Sequence, residues 1–70
     1  MTTTESIAQQ IKTIRTMQGI SQTELATRVK SLPGFISNLE AGKNESLSLR
    51  KLEQIAKQLH CKVVVSIEPL

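Results

Sequence analysis

The sequence predicts an all-α, compact domain of four short helices followed by one C-terminal β-strand. Three observations carry this reading. Apolar residues recur at three- and four-residue spacing from Ile7 to Leu59. Hydroxyl side chains stand where helices should begin, and glycines stand where they should end. A β-branched run, Lys62-Val63-Val64-Val65-Ser66-Ile67, then follows and stops at Pro69. Seventy residues make one domain at most. With only 1% aromatic residues, Ile, Leu, Val and Ala must fill the core. A core this small often needs a staple or a second chain. The expected division is residues 1–60 as the helical domain and 61–70 as the strand.

In the first helix, Met1–Thr4 reads as a frayed start with Thr4 as the candidate cap. Ile7, Ile11 and Ile14, joined by Ala8 and Met17, form one inward stripe to about Gln18. Gly19 then ends the helix. Ser21 begins the second helix, and Glu24 three residues later completes a capping-box spacing. Ile20 and Leu25 flank that cap as a hydrophobic staple. This helix is expected from about Gln22 to Val29, burying Leu25, Ala26 and Val29. Pro33 suits the first turn of the third helix, where its missing N–H is harmless. Ile36 and Leu39 face inward from it, and Gly42 closes it. Leu47, Ser48 and Leu52 repeat the staple pattern at the start of the fourth helix. That helix runs to about Leu59 and is expected to bury Leu49, Leu52, Ile55, Ala56 and Leu59.

The valine-rich tail has no second strand elsewhere in the chain to pair with. A lone strand leaves its backbone groups unpaired. Pairing with another copy of the chain is the economical solution, with Val63, Val64, Val65 and Ile67 as the dimerisation residues. The alternative is an extended tail packed on the helices.

The net charge of +3 and pI of 9.4 suit a polyanionic partner. Lys43, Arg50, Lys51 and Lys57 outnumber Glu45 and Glu53 in the last third of the helical region, although Lys51 and Lys57 read as a solvated helix face. Cys61 is the lone cysteine, and with no signal-peptide pattern it leads to the expectation of a reducing, cytoplasmic compartment. No apolar run approaches membrane-spanning length. Catalysis is not expected. The chain has no Asp, one His and one Cys, and the adjacent His60 and Cys61 lack an orienting third group. They read as a helix-terminal histidine and a half-buried thiol, not as a metal or cofactor site.

Residues Ser21 to Glu40 carry the functional signal. A sharply capped short helix, a turn and a second short helix with a small polar outer face make a helix-turn-helix. That unit lays its second helix in the DNA major groove. Four segments then stand in order: I-K-T-I-R in the first helix, I-S-Q-T-E-L-A in the second, F-I-S-N-L-E-A-G-K across the third, and L-x-x-I-A-K-Q-L in the fourth. Together they resemble the Cro/cI-type (Xre) helix-turn-helix family over about Ile7 to Leu59.

The resemblance implies a sequence-specific transcriptional regulator that binds a palindromic double-stranded operator as a homodimer. It implies base reading by Pro33, Gly34, Ser37 and Asn38, and phosphate contacts from Gln22, Lys43 and Asn44. It also implies a structural ion pair between Arg15 and Glu40. The chain departs from the family pattern at the turn, where Lys30 replaces the usual glycine. Leu32 replaces the usual hydroxyl cap of the third helix, with Ser31 as a substitute cap. Pro33 and Gly34 cannot make bidentate base contacts, so readout should fall on Asn38 and Ser37, with indirect readout contributing. Phe35 could touch a thymine methyl but reads chiefly as packing against the turn. A short domain of this kind ending in a valine-rich strand also resembles HipB-like antitoxins, which repress their own operon and bind a toxin. The alternative function is a protein-interaction module, as toxin-neutralising antitoxin or adaptor, with DNA binding secondary or lost.

Overall fold

The computed structural model describes residues 2–70; Met1, part of the expected frayed start, lies outside them. The four helices are α1 (Thr3–Met17), α2 (Gln22–Arg28), α3 (Pro33–Glu40) and α4 (Leu49–Gln58). α1 is not frayed at its start. Thr2, not Thr4, is its cap: the Thr2 hydroxyl accepts from the Glu5 N–H, and the Glu5 carboxylate accepts from the Thr2 N–H. This reciprocal pair satisfies two donors that the first turn leaves without partners. Ser21 caps α2 and Ser48 caps α4 in the same sense. The Glu24 carboxylate does not complete a box; it pairs with Arg28 one turn later, at 3.3 Å.

All four helices end alike. The residue two past each C-cap bonds back five positions, as in Ile20 N–H to Arg15, Ser31 N–H to Ala26, Lys43 N–H to Asn38 and Cys61 N–H to Ala56. This closure requires a left-handed residue. Gly19 and Gly42 supply it in α1 and α3, whereas Lys30 (φ +56°) and His60 (φ +58°) supply it in α2 and α4. A side chain held there costs about 1–2 kcal/mol, partly offset because glycine gains freedom in the unfolded chain. Lys30→Gly is therefore expected to stabilise the domain by about 0.5–1 kcal/mol, raising Tm by a few degrees. Thermal unfolding by circular dichroism checks this. An unchanged or lower Tm would mean that the Lys30 side chain contributes more than its backbone costs.

The core is aliphatic: Ile11, Ile20, Leu25, Ala26, Val29, Ile36, Leu39, Ile55 and Leu59 form one buried cluster. Ile7, Ile14, Phe35, Leu47 and Leu52 pack around it, half buried. Two expected core residues lie outside. Met17 is exposed because the chain reverses at Gly19 and Ile20 takes the buried position at that end. Leu49 is exposed in the first turn of α4, while Leu47 before the cap packs on the core.

Lys51 is not the solvated lysine that its neighbours in sequence suggest. Its ammonium donates to the Val29 carbonyl at 2.8 Å and lies 5.4 Å from the centre of the Phe35 ring. The carbonyl is one that the C-terminus of α2 leaves without a helical partner, so a cation there answers both a hydrogen bond and the helix dipole. Gln18 likewise ties α1 to the end of α4 through the Leu59 carbonyl, at 2.7 Å.

Residues 61–70 carry neither helix nor strand within the single chain. A strand is defined by a ladder partner, and one chain provides none here. Among the described residues, the Cys61 N–H is the last backbone group held by a backbone hydrogen bond. Val63 is half buried in a groove between the tail and α1, whereas Val64, Val65 and Ile67 are 80%, 65% and 96% exposed. Cys61 is exposed rather than half buried.

Candidate nucleic-acid interface

The unit that presents α3 is held by one polar knot in an otherwise apolar interior. The Arg15 guanidinium, from α1, donates to both carboxylate oxygens of Glu40 at the end of α3, at 2.6 and 2.9 Å. Its third arm donates to the Ile20 carbonyl at 2.7 Å, just before the α2 cap. The Gln22 side-chain amide, in the first turn of α2, donates to Glu40 at 3.1 Å. Glu40 thus joins three helices at one point. The expected Arg15–Glu40 ion pair is present, and it is bidentate.

Burial by itself would push the Glu40 carboxyl up. The hydrogen bonds from Arg15 and Gln22, with their positive surroundings, win and hold it below its ordinary value of 4.5. Arg15 is raised in turn, chiefly by its hydrogen bonds to Glu40.

Anchored on this side, α3 buries Ile36 and Leu39 and turns its opposite side outward. Pro33, Gly34, Ser37 and Asn38, the expected base-reading residues, are all exposed. Their spacing, 33-34-37-38, is that of one continuous helix face. Only Ser37 and Asn38 bring polar side chains to it. An Asn amide can pair with the N6 and N7 edge of adenine, and a Ser hydroxyl can serve several bases.

The expected phosphate residues gather toward the other end of α3. Lys43 is exposed just past the helix, and Asn44 is half buried beside it. Gln22 reaches the same end through Glu40. Its amide has a second N–H beyond the one bond it makes, so the Glu40 contact orients Gln22 while leaving it one donor for a phosphate.

At the N-terminal end, Leu32 occupies the cap position of α3 and makes no side-chain cap hydrogen bond. Ser31 does not substitute for it: its hydroxyl turns back toward the Val29 carbonyl at 3.5 Å. Phe35 is half buried against the core under Lys51, consistent with packing. The missing hydroxyl cap at Leu32 is as the sequence indicated. The role of Lys51 escaped the sequence reading, since its partners lie on other elements of the fold.

Comparison with known proteins agrees with this geometry. A family model described as helix-turn-helix matches residues 11–65. Among solved structures, the chain is similar to the crystal structure of apo-HppE, with 24% identity and a TM-score of 0.82 over 87% of this chain. It is likewise similar to HppE with cobalt(II) in complex with Tris buffer, with 24% identity and a TM-score of 0.84 over 89% of this chain. The chain spans about a third of the length of those chains (34% and 35%), and at this identity the likeness shows the fold alone. No curated protein matches the chain.

Proposed function

The chain belongs to the Cro/cI-type (Xre) helix-turn-helix family, and from that premise we propose that it is a homodimeric, operator-specific repressor of its own operon. The family supports the coarser statement, a DNA-binding regulator of the Xre type, and no helix among the described residues is long and apolar enough to cross a membrane. The observation that carries the finer reading is the exposed α3 strip of Pro33, Gly34, Ser37 and Asn38, held outward by the Arg15–Glu40 knot. In this reading the protein is a binding module rather than a catalyst, and it works in the cytoplasm.

Residues 1–60 form the DNA-binding domain, and the tail at 61–70 dimerises it. Two antiparallel copies of the tail would satisfy each other's backbone and cover Val64, Val65 and Ile67. The dimer places two α3 helices on half-sites about one helical turn apart. Those exposed valines also suit a toxin surface, which favours a second role as the antitoxin of a toxin–antitoxin pair. Co-purification of the neighbouring gene's product with the chain would support that role, and purification without it would count against it.

The test is fluorescence-anisotropy binding to DNA from upstream of the chain's own gene, against scrambled DNA, over a salt series. Preference for the native DNA at near-physiological salt is the expected result. Equal, salt-fragile binding to both would overturn an own-operon repressor. Asn38→Ala is expected to cost about 1–3 kcal/mol and to relax specificity at particular base pairs. Gln22→Ala and Lys43→Ala should weaken all sequences alike, with Lys43→Ala also lowering the salt slope by about one. If Asn38→Ala weakened every sequence equally, it would not be a base reader.

A further inference from the structure

Three of the four helices begin on a hydroxyl cap, supplied by Thr2, Ser21 and Ser48. α3 alone among them begins on Leu32, with no side-chain cap bond. Leucine is among the poorest caps, because it offers the first-turn amides no acceptor. Nor is Leu32 placed for the core, since it is 80% exposed. The residue is locally unfavourable on two counts, a pattern expected where a side chain serves binding rather than folding.

Its neighbours narrow what it could bind. Pro33 has no donor, and Gly34 has no side chain; a Cβ added at Gly34 would meet nothing within 4 Å. The leading end of α3 therefore presents a smooth backbone and one projecting isobutyl group. Phe35, the other apolar candidate nearby, is committed to the core and to Lys51. Of the groups that base pairs display in the major groove, the apolar one is the thymine 5-methyl. We propose that Leu32 reads a thymine methyl by apolar contact, while Ser37 and Asn38 read base edges further along the helix.

This rests on the DNA-binding reading above, and the test separates the two. The full chain is used to select duplexes from a random pool. In the tightest duplex each thymine is then replaced in turn by deoxyuridine, which removes one methyl and leaves pairing intact. At one position per half-site the replacement should weaken the unmodified chain roughly four-fold, the value of one buried methyl. Leu32→Ala should bind the thymine and uracil duplexes equally at that position. Leu32→Ser should also lose the discrimination while gaining a cap, raising Tm by roughly 4–8 °C, so misfolding cannot account for the loss.

The proposal is overturned if no thymine is sensitive. It is also overturned if the sensitivity persists in Leu32→Ala, or if Leu32→Ala weakens both duplexes by one factor. Failure to select any duplex would overturn the DNA-binding reading itself, and this proposal with it.

Discussion

Glu40→Ala is expected to remove roughly half of the domain's stability. The Arg15 and Glu40 side chains are 10% and 2% exposed, so removing the carboxylate leaves a guanidinium desolvated and uncompensated. Breaking such a pair costs about 3–5 kcal/mol. A domain of this length has in total only roughly 4–10 kcal/mol of stability. The loss extends past the pair itself, because Gln22 also depends on Glu40.

Arg15→Met combined with Glu40→Leu should recover much of the loss, since removing both charges also removes their desolvation cost. Urea denaturation of the single and double variants decides the matter. A Glu40→Ala variant within 1 kcal/mol of the parent, a small fraction of the expected loss, would show that the pair is solvated enough to be dispensable.

The same pair sets an acid limit. Because the folded Glu40 carboxyl lies below 4.5, its contribution is fully present above that pH and is lost as pH falls through the lower folded value. Glu5 is shifted in the same direction, by its hydrogen bonds to Thr2. The acid limb should therefore be shallower in Glu40→Gln, with only the Glu5 part remaining.

The second large effect is expected from the tail. Ending the chain at Lys62 removes Val64, Val65 and Ile67, the most exposed apolar stretch, along with half-buried Val63. In the proposed dimer, linked half-sites gain from effective concentration, so affinity for a two-half-site operator should fall about 10²–10⁴-fold. Affinity for an isolated half-site should stay within a few-fold. Val65→Pro provides a second variant of unchanged length, since proline withdraws an N–H from any strand ladder. Light scattering should report a monomer in both. A truncated chain that still scatters as a dimer would place the dimer contact elsewhere.

Much of this molecule is legible in the sequence. Helix order, the α2 and α4 caps, the glycine closures and most of the core followed from rules acting within a few residues. So did the 33-34-37-38 face, because helical spacing alone puts those positions together. The misses share a cause. Met17 and Leu49 continued an apolar stripe in sequence, but burial depends on whether another element covers the stripe at that point. Lys51 looks solvated in the sequence because its partners, the Val29 carbonyl at the end of α2 and the Phe35 ring on α3, are distant along the chain. Ser31 could be offered as a cap until the left-handed Lys30 turned its hydroxyl away.

By itself, then, the sequence determined the local grammar: where helices start and stop, which faces are apolar, and that a small basic domain presents a polar helix outward. Periodicity and capping are short-range, and each is set by neighbours four residues away or fewer. Tertiary structure alone decided how the helices lock together. Glu40 becomes a hub for Arg15 and Gln22, Lys51 becomes a helix-end cap, and Leu32 is left exposed at the start of α3. Those outcomes depend on distances between residues far apart in the chain, and packing settles such distances only when all four helices share one core.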